Sequence, residues 1–491
     1  MRKNEEIQKT ISEIDISEIE IDLTCRDEVP KLLMGLKYIY CNSEIKAKIF
    51  KIFEEMIPDK KKKRIGRKGM NIWEIFVLGM LRLNCNWDFD KLQDQANNHK
   101  AIRQMLGKTE FAGGRYALQT LRENISLFTP EILSKINEVV VKAGHDLIGK
   151  KAKKDLKAKV DSFVVETDVH FPTDISLLFD AVRKIITGMA GFFKKAGLRG
   201  FRQSKHTVEK LKKKVMNIQR LKRSTSVDQA KIDKREKLIK REYRNYVKDI
   251  GNILSKVTGF LKLVTDIPLK IALEHYIRLA VKLMDQVDRR VLKGEVIPHE
   301  EKIFSIFEPH TEWISKGKAG VPQELGVRVC VVQDQFGFML NHMVMEKKTD
   351  DAVAVSIMEE TMSVFKNIKQ ASYDKGFYTP KNKERLEQML DRIIMTRKGR
   401  LTVDEKEQEN SEKYRAAKRE HRAVESGISA MENHGLDRCL DHGIAGFKRY
   451  VSLSFLARNI QIMGHILVQK EIKRLEREAR FLEKKKIMNV A

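Results

Sequence analysis

The chain has 491 residues and a formal net charge of +27, from 95 Lys and Arg against 68 Asp and Glu. Its 42% hydrophobic residues are enough for a substantial core, which argues against wholesale disorder, and no stretch reaches the roughly 18 uninterrupted apolar residues of a membrane span. Five scattered cysteines without a CxxC pair exclude a disulfide scaffold and a compact zinc module, and fit a reducing cytoplasm.

In chain order, residues 1–27 are mixed in charge and weakly periodic, a loosely ordered lead-in without the apolar core of a signal peptide. Residues 28–150 read as helical. Ile49, Ile52, Phe53 and Met56 recur at helical spacing, Asn71 to Leu83 is apolar on most sides, and Asp88 is placed to cap the helix after it. Lys60, Lys61, Lys62, Lys63, Arg64, Arg67 and Lys68 lie among these helices, so the region reads as a DNA-binding bundle of helix-turn-helix type, with a purely structural helical domain as the alternative.

Near Val160 the pattern changes. Ser162 to Thr167 is short, β-branched and apolar, a strand. Residues 183–299 form a basic helical insertion, with Leu211, Val215, Ile218 and Leu221 at heptad-like spacing. Gly326–Val332 and Phe338–Val344 flank a short polar connection with a glycine and predict a β-hairpin. Asp350–Val364 reads as a helix, Ile368–Tyr373 as a strand, Thr379–Leu390 as a helix, Ile393–Thr396 as a strand and Ser411–Asn433 as a long helix. With the insertion set aside, residues 158–182 and 300–470 predict an α/β domain with a mixed five-stranded sheet, followed by a basic C-terminal helix over 471–491.

The charge is uneven. Lys194 to Lys248 holds 20 Lys and Arg against 5 acids, more than half of the chain's excess. Two basic runs within a basic chain point to nucleic acid, because each neutralised phosphate releases condensed counterions. Basic helices with Trp or Phe anchors are missing, so a membrane surface is not expected. Lys212, Lys213, Lys214, Lys316, Lys318 and Arg422 are candidate phosphate contacts.

Three acids sit where phosphodiester chemistry wants them: Asp168 at the end of the first strand, Asp374 at the end of a later one, and Glu425 on the long helix. Carboxylates so placed can converge on Mg²⁺ or Mn²⁺, and two such ions can activate an attacking oxygen and stabilise a leaving one. Each acid also has a simpler reading: Asp168 as a cap, Asp374 as a turn residue before Gly376, Glu425 as a partner of Arg422. Glu166 and Asp174 compete with Asp168 for the first position. Asp334 fits a turn role, and His170 and His310 lie where a scissile phosphate could be approached.

Several stretches together resemble the DDE-type transposases of bacterial insertion sequences, closest to the ISNCY group: Gly69–Gly79 with Leu81-Arg82-Leu83, Thr167–Asp174, Phe304–Ile314 with Lys316-Gly317-Lys318, Asp374–Tyr378, and Arg422–Glu425. The resemblance implies an RNase H-like fold carrying Asp168, Asp374 and Glu425 as its catalytic, metal-holding triad. It also implies a helical N-terminal domain that recognises terminal inverted repeats. The expected activity is metal-dependent strand cleavage and strand transfer on double-stranded DNA, by a homodimer or larger assembly at the bacterial nucleoid in the cytoplasm. A metal-dependent nuclease that cuts without joining, or a DNA-binding derivative without chemistry, are the alternatives.

Overall fold

The computed structural model describes residues 15–56, 69–108, 114–223, 225–315, 323–397, 399 and 402–490. The chain divides into two compact units. One comprises the residues up to Asp168 and those from Gly326 onward, and the other is Val169–Leu325.

The first unit begins with helices α1 (Glu28–Cys41), α2 (Ser43–Phe53), α3 (Ile72–Asn84), α4 (Phe89–Asn98), α5 (Lys100–Met105), α6 (Leu118–Ile125), α7 (Pro130–Ile148) and α8 (Lys150–Lys153). Their starts are set by local chemistry. The side chains of Asp27, Asn42, Asn71, Asp88 and Thr129 each accept a hydrogen bond from a backbone N–H of the helix that follows, and Pro130 opens α7. Every residue of α3 is buried, and the Trp73 indole N–H donates to the Met105 carbonyl at 3.1 Å.

After α8 come β1 (Leu156–Thr167), then in the second unit α9 (Asp174–Lys195), α10 (Ser204–Lys222), α11 (Gln229–Phe260), α12 (Ile267–Val287) and β2 (Glu312–Ser315). β3 (Gln323–Gln333) leads back into the first unit, followed by β4 (Met339–Met345), α13 (Asp350–Val364), β5 (Ile368–Tyr373), α14 (Pro380–Glu387), β6 (Arg392–Met395), α15 (Val403–Asn410), α16 (Glu412–His421), α17 (Ala423–Met431), β7 (Arg438–Cys439) and α18 (Gly443–Val490).

The class is α/β and the sheet is mixed, but it has seven strands instead of five. Its order is β2-β3-β1-β5-β6, with β4 also on β3 and β7 also on β1. β1 is antiparallel to β3, which is antiparallel to β4, while β5 and β6 run parallel to β1. The two unexpected strands, β2 and β7, are four and two residues long, too short to give a sequence pattern. β1 also starts six residues earlier than its apolar run implies, because Leu156, Ala158 and Val160 point inward between Lys157, Lys159 and Asp161.

The helices before β1 share one hydrophobic core with the sheet and α18. α18 packs on α1, α3 and α7 and continues unbroken through residue 471, where a separate terminal helix was expected. Its apolar window is long enough to cross a membrane, yet 72% of that window is buried inside the protein, where it serves as a core helix. At the crossing of α1 and α18 the backbones nearly touch: a Cβ on Gly35 would run into the Ile460 carbonyl, and one on Gly464 into the Lys31 carbonyl. The second unit has its own core, built from one face of each of α9 to α12, with Tyr243 and Tyr246 fully buried. This unit spans more chain than the insertion expected over 183–299.

Candidate acidic site

The centre of the sheet brings acids together at the junction of β1 and β5. The register places Val160 beside Tyr373, so the next residues along the two parallel strands are Asp161 and Asp374. Adjacent strands lie about 4.8 Å apart, which makes these carboxylates cross-strand neighbours. Asp374 begins a short 3-10 turn, but its side chain makes no capping hydrogen bond, so the carboxylate is not spent on the turn. Glu425 stands in the first turn of α17, exposed and without an ion pair to Arg422 among the described residues. The long helix expected over 411–433 is in fact two, meeting at Arg422, and a π-turn with Gly435 at φ 100° then ends α17.

A fourth acid completes the group. Asp350, at the start of α13, accepts a hydrogen bond from the Ser162 hydroxyl at 2.7 Å. Gly376, two residues after Asp374, passes so close that a Cβ there would sit 2.5 Å from an Asp350 carboxylate oxygen.

Electrostatics ties the four together. Burial pushes the Asp161 carboxyl up from 3.8 to about 7. The backbone N–H of Ser162, donating at 2.7 Å, opposes that rise, and the charges of Asp374, Glu425 and Asp350 add to it. His421 ends α16 four residues before Glu425. Its Nδ1 lies 2.9 Å from the Ser372 hydroxyl, and burial lowers its pKa against the opposing pull of Asp374 and Glu425.

Asp168, the expected first acid, is not in this group. It lies seven residues beyond Asp161, roughly 23 Å along an extended strand. There it is exposed and stands 3.7 Å from Arg438, which also approaches Glu166 at 3.6 Å. The other candidates are also occupied elsewhere. Asp174 pairs with Arg290 at 2.9 Å, His170 faces Asp180 at 3.7 Å, and His310 faces Glu308 at 3.7 Å. Asp334 is a buried turn residue, accepting from the backbone N–H groups of Phe336 and Phe338 and lying 2.6 Å from His145 Nε2. Of the basic candidates, Lys212 and Lys213 are exposed on α10, Lys214 is held by Asp249, and Arg422 is exposed at the α16–α17 junction. Lys60, Lys61, Lys62, Lys63, Arg64, Arg67, Lys68, Lys316 and Lys318 lie outside the described residues.

Comparison with protein-family models, curated proteins and solved structures finds no match to this chain.

Among the described residues no three His, Cys, Asp or Glu side chains stand close enough to ligate one ion as they are. The raised Asp161 reflects burial first, with repulsion from Asp374, Glu425 and Asp350 adding to it. The donors are carboxylate oxygens on two strand positions and a helix turn, the oxygen-only chemistry that suits a hard divalent cation.

Proposed function

We propose that the chain is a DDE-type DNA transposase with an RNase H-like core, and that Asp161, Asp374 and Glu425 are its catalytic acids. The observation that carries this reading is the meeting of Asp161 and Asp374 on adjacent parallel strands with Glu425 on a neighbouring helix. The five long strands, in the order β4-β3-β1-β5-β6 with both parallel and antiparallel pairs, support the fold assignment. The resemblance in Asp374–Tyr378 and Arg422–Glu425 supports the second and third acids, while Asp161 replaces Asp168 as the first.

In this reading Asp161, Asp374 and Glu425 hold Mg²⁺ or Mn²⁺, one or two ions. When bound, the metal supplies activation of the attacking oxygen and stabilisation of the leaving one. Asp350 fixes Ser162 and the turn at Gly376, and so holds β1 and the Asp374 turn in register. His421, kept neutral by burial, can take or give a proton beside the carboxylates without adding positive charge that would compete with a cation. The basic second unit supplies phosphate contacts that add affinity with little sequence information.

The test is a cleavage and strand-transfer assay on DNA carrying the ends that flank the chain's own gene, with Mg²⁺ and with Asp161→Asn, Asp374→Asn and Glu425→Gln beside the native protein. Joined products from the native protein and none from the three variants support the transposase. Cleavage without joining supports the nuclease instead, and full activity in all three variants overturns the assignment.

A further inference from the structure

The second unit contains a cavity of about 510 Å³ at the start of α10, lined by Arg199, Arg202, Lys256, Ser204, Thr207 and Phe201 among others, and none of its described lining residues is acidic. We propose that this cavity is a nucleotide-phosphate pocket, filled by a phosphate of a DNA strand; the choice of DNA as the source rests on the transposase reading, whereas the pocket chemistry does not.

Three observations converge. First, two arginines and a lysine line a concavity with no described carboxylate among its lining residues, an arrangement complementary to phosphate and hostile to a cation. Second, α10 is 19 residues long and its N-cap, Gln203, gives no side-chain hydrogen bond to the first turn, so first-turn amide N–H groups beyond Ser204 are left for a ligand beside the Ser204 hydroxyl, while the Thr207 hydroxyl donates to the Gln203 carbonyl. Third, one wall is aromatic and fixed. The Phe201 ring packs at 5.1 Å from Phe193 and 6.1 Å from Phe260, with the Lys256 ammonium 5.5 Å from its centroid. Phe201 adopts a left-handed backbone (φ 51°), a state that costs a bulky residue energy, and a side chain on Gly200 would strike the Phe193 ring. The turn is therefore rigidly built, and it joins a cationic end to an aromatic wall, the two surfaces that a phosphate and its attached sugar and base require.

The pocket is distinct from a diffuse basic field, and the experiment separates the two. Arg199→Ala/Arg202→Ala is compared with Lys234→Ala/Lys237→Ala, which removes equal charge from exposed positions of α11 in the same unit. Full-length protein is titrated by fluorescence anisotropy with one labelled duplex, 5′-phosphorylated or 5′-hydroxyl, between low and moderate salt, and with free dAMP as competitor. The expected result is a loss of roughly tenfold or more in affinity and a salt slope shallower by about one to two for the pocket pair, with a clearly smaller loss for the control pair. A 5′-phosphate preference that vanishes in the pocket pair identifies a strand end as the source, and equal loss on both duplexes identifies an internal phosphodiester. Equal effects of the two pairs, no effect of the pocket pair, or displacement of DNA by micromolar dAMP overturns the proposal. The assay measures binding alone, so it stands or falls separately from the cleavage test of Asp161.

Discussion

Asp161→Asn is the most informative single change. The Asp161 carboxyl is pushed up from 3.8 to about 7 by burial and by three neighbouring carboxylates. A group whose pKa is higher in the folded than in the unfolded chain binds protons more tightly when folded, so the stability it supports is full below about pH 4 and is lost as pH rises through 7. A shift of this size corresponds to about 4 kcal/mol at 1.36 kcal/mol per unit, and solvent screening of a group that is not fully buried reduces it to roughly 2–4 kcal/mol. Asparagine keeps the shape and the hydrogen bond from Ser162 but carries no charge to confine. The variant is therefore expected to melt several degrees higher than the native protein at pH 8 without metal, on the order of 1–2 °C per kcal/mol for a unit of this size, and at nearly the same temperature at pH 4.5. Adding Mg²⁺ at pH 8 should raise the native melting temperature and leave that of the variant unchanged. Differential scanning calorimetry at both pH values, with and without Mg²⁺, reads all four quantities. A variant less stable than the native protein at pH 8, or one that gains equally from Mg²⁺, would refute the reasoning that Asp161 is a confined charge awaiting a cation.

Asp168→Asn should leave cleavage within about twofold of native, since Asp168 is exposed beside Arg438 and distant from the acidic group; a loss as deep as that of Asp374→Asn in the same assay would restore it as the first acid. Asp441→Ala removes the carboxylate that lies 2.9 Å from the buried Arg82 guanidinium, itself stacked 4.0 Å from the centre of the Phe89 ring, and should cost about 3–5 kcal/mol in urea unfolding because a buried cation is left without its partner. Gly464→Ala places a methyl group against the Lys31 carbonyl and should destabilise by roughly 1–3 kcal/mol or more, read as a lower denaturation midpoint; a neutral result would mean that α1 and α18 separate easily. His421→Gln, with Ser372 left in place, should slow cleavage most at neutral and alkaline pH, where the native imidazole is neutral, and should flatten the acid limb of the profile, where the native imidazole takes up a proton.

Where the sequence speaks through apolar periodicity, it is legible. The hairpin of β3 and β4 follows from two apolar runs around Asp334 and Gly337, and the structure shows why the turn holds: the Asp334 carboxylate accepts two backbone N–H groups across it. α13 and β5 begin and end where their patterns say. Asp161, the acid proposed for the first position in place of Asp168, was hidden because polar residues interrupt the apolar run of β1. Lys157, Lys159 and Asp161 break it, and only the two-residue alternation with Leu156, Ala158 and Val160 reveals that the strand continues to its start. That alternation was the available signal, since an acid in mid-strand next to a parallel strand ending in another acid is costly unless it is used. Asp350 gave no signal of its own: an acid in the first turn of a helix fits the helix dipole without any further role. The break between α16 and α17 was equally hidden, since Ser411 to Asn433 has helical composition throughout and no proline at the junction. The merging of the N-terminal helices with the sheet depends on long-range contacts such as Asn459 with Asn137 and the Met339 carbonyl, which no local pattern records.

Asp161, Asp374 and Glu425, and not Asp168, are proposed to form the metal-holding centre. Diffraction from crystals soaked in Mn²⁺, with anomalous scattering recorded at the manganese edge, tests it directly. A peak is expected among the carboxylates of Asp161, Asp374 and Glu425 that disappears in Asp161→Asn. A peak beside Asp168, or bound manganese that leaves these three side chains untouched, would contradict it.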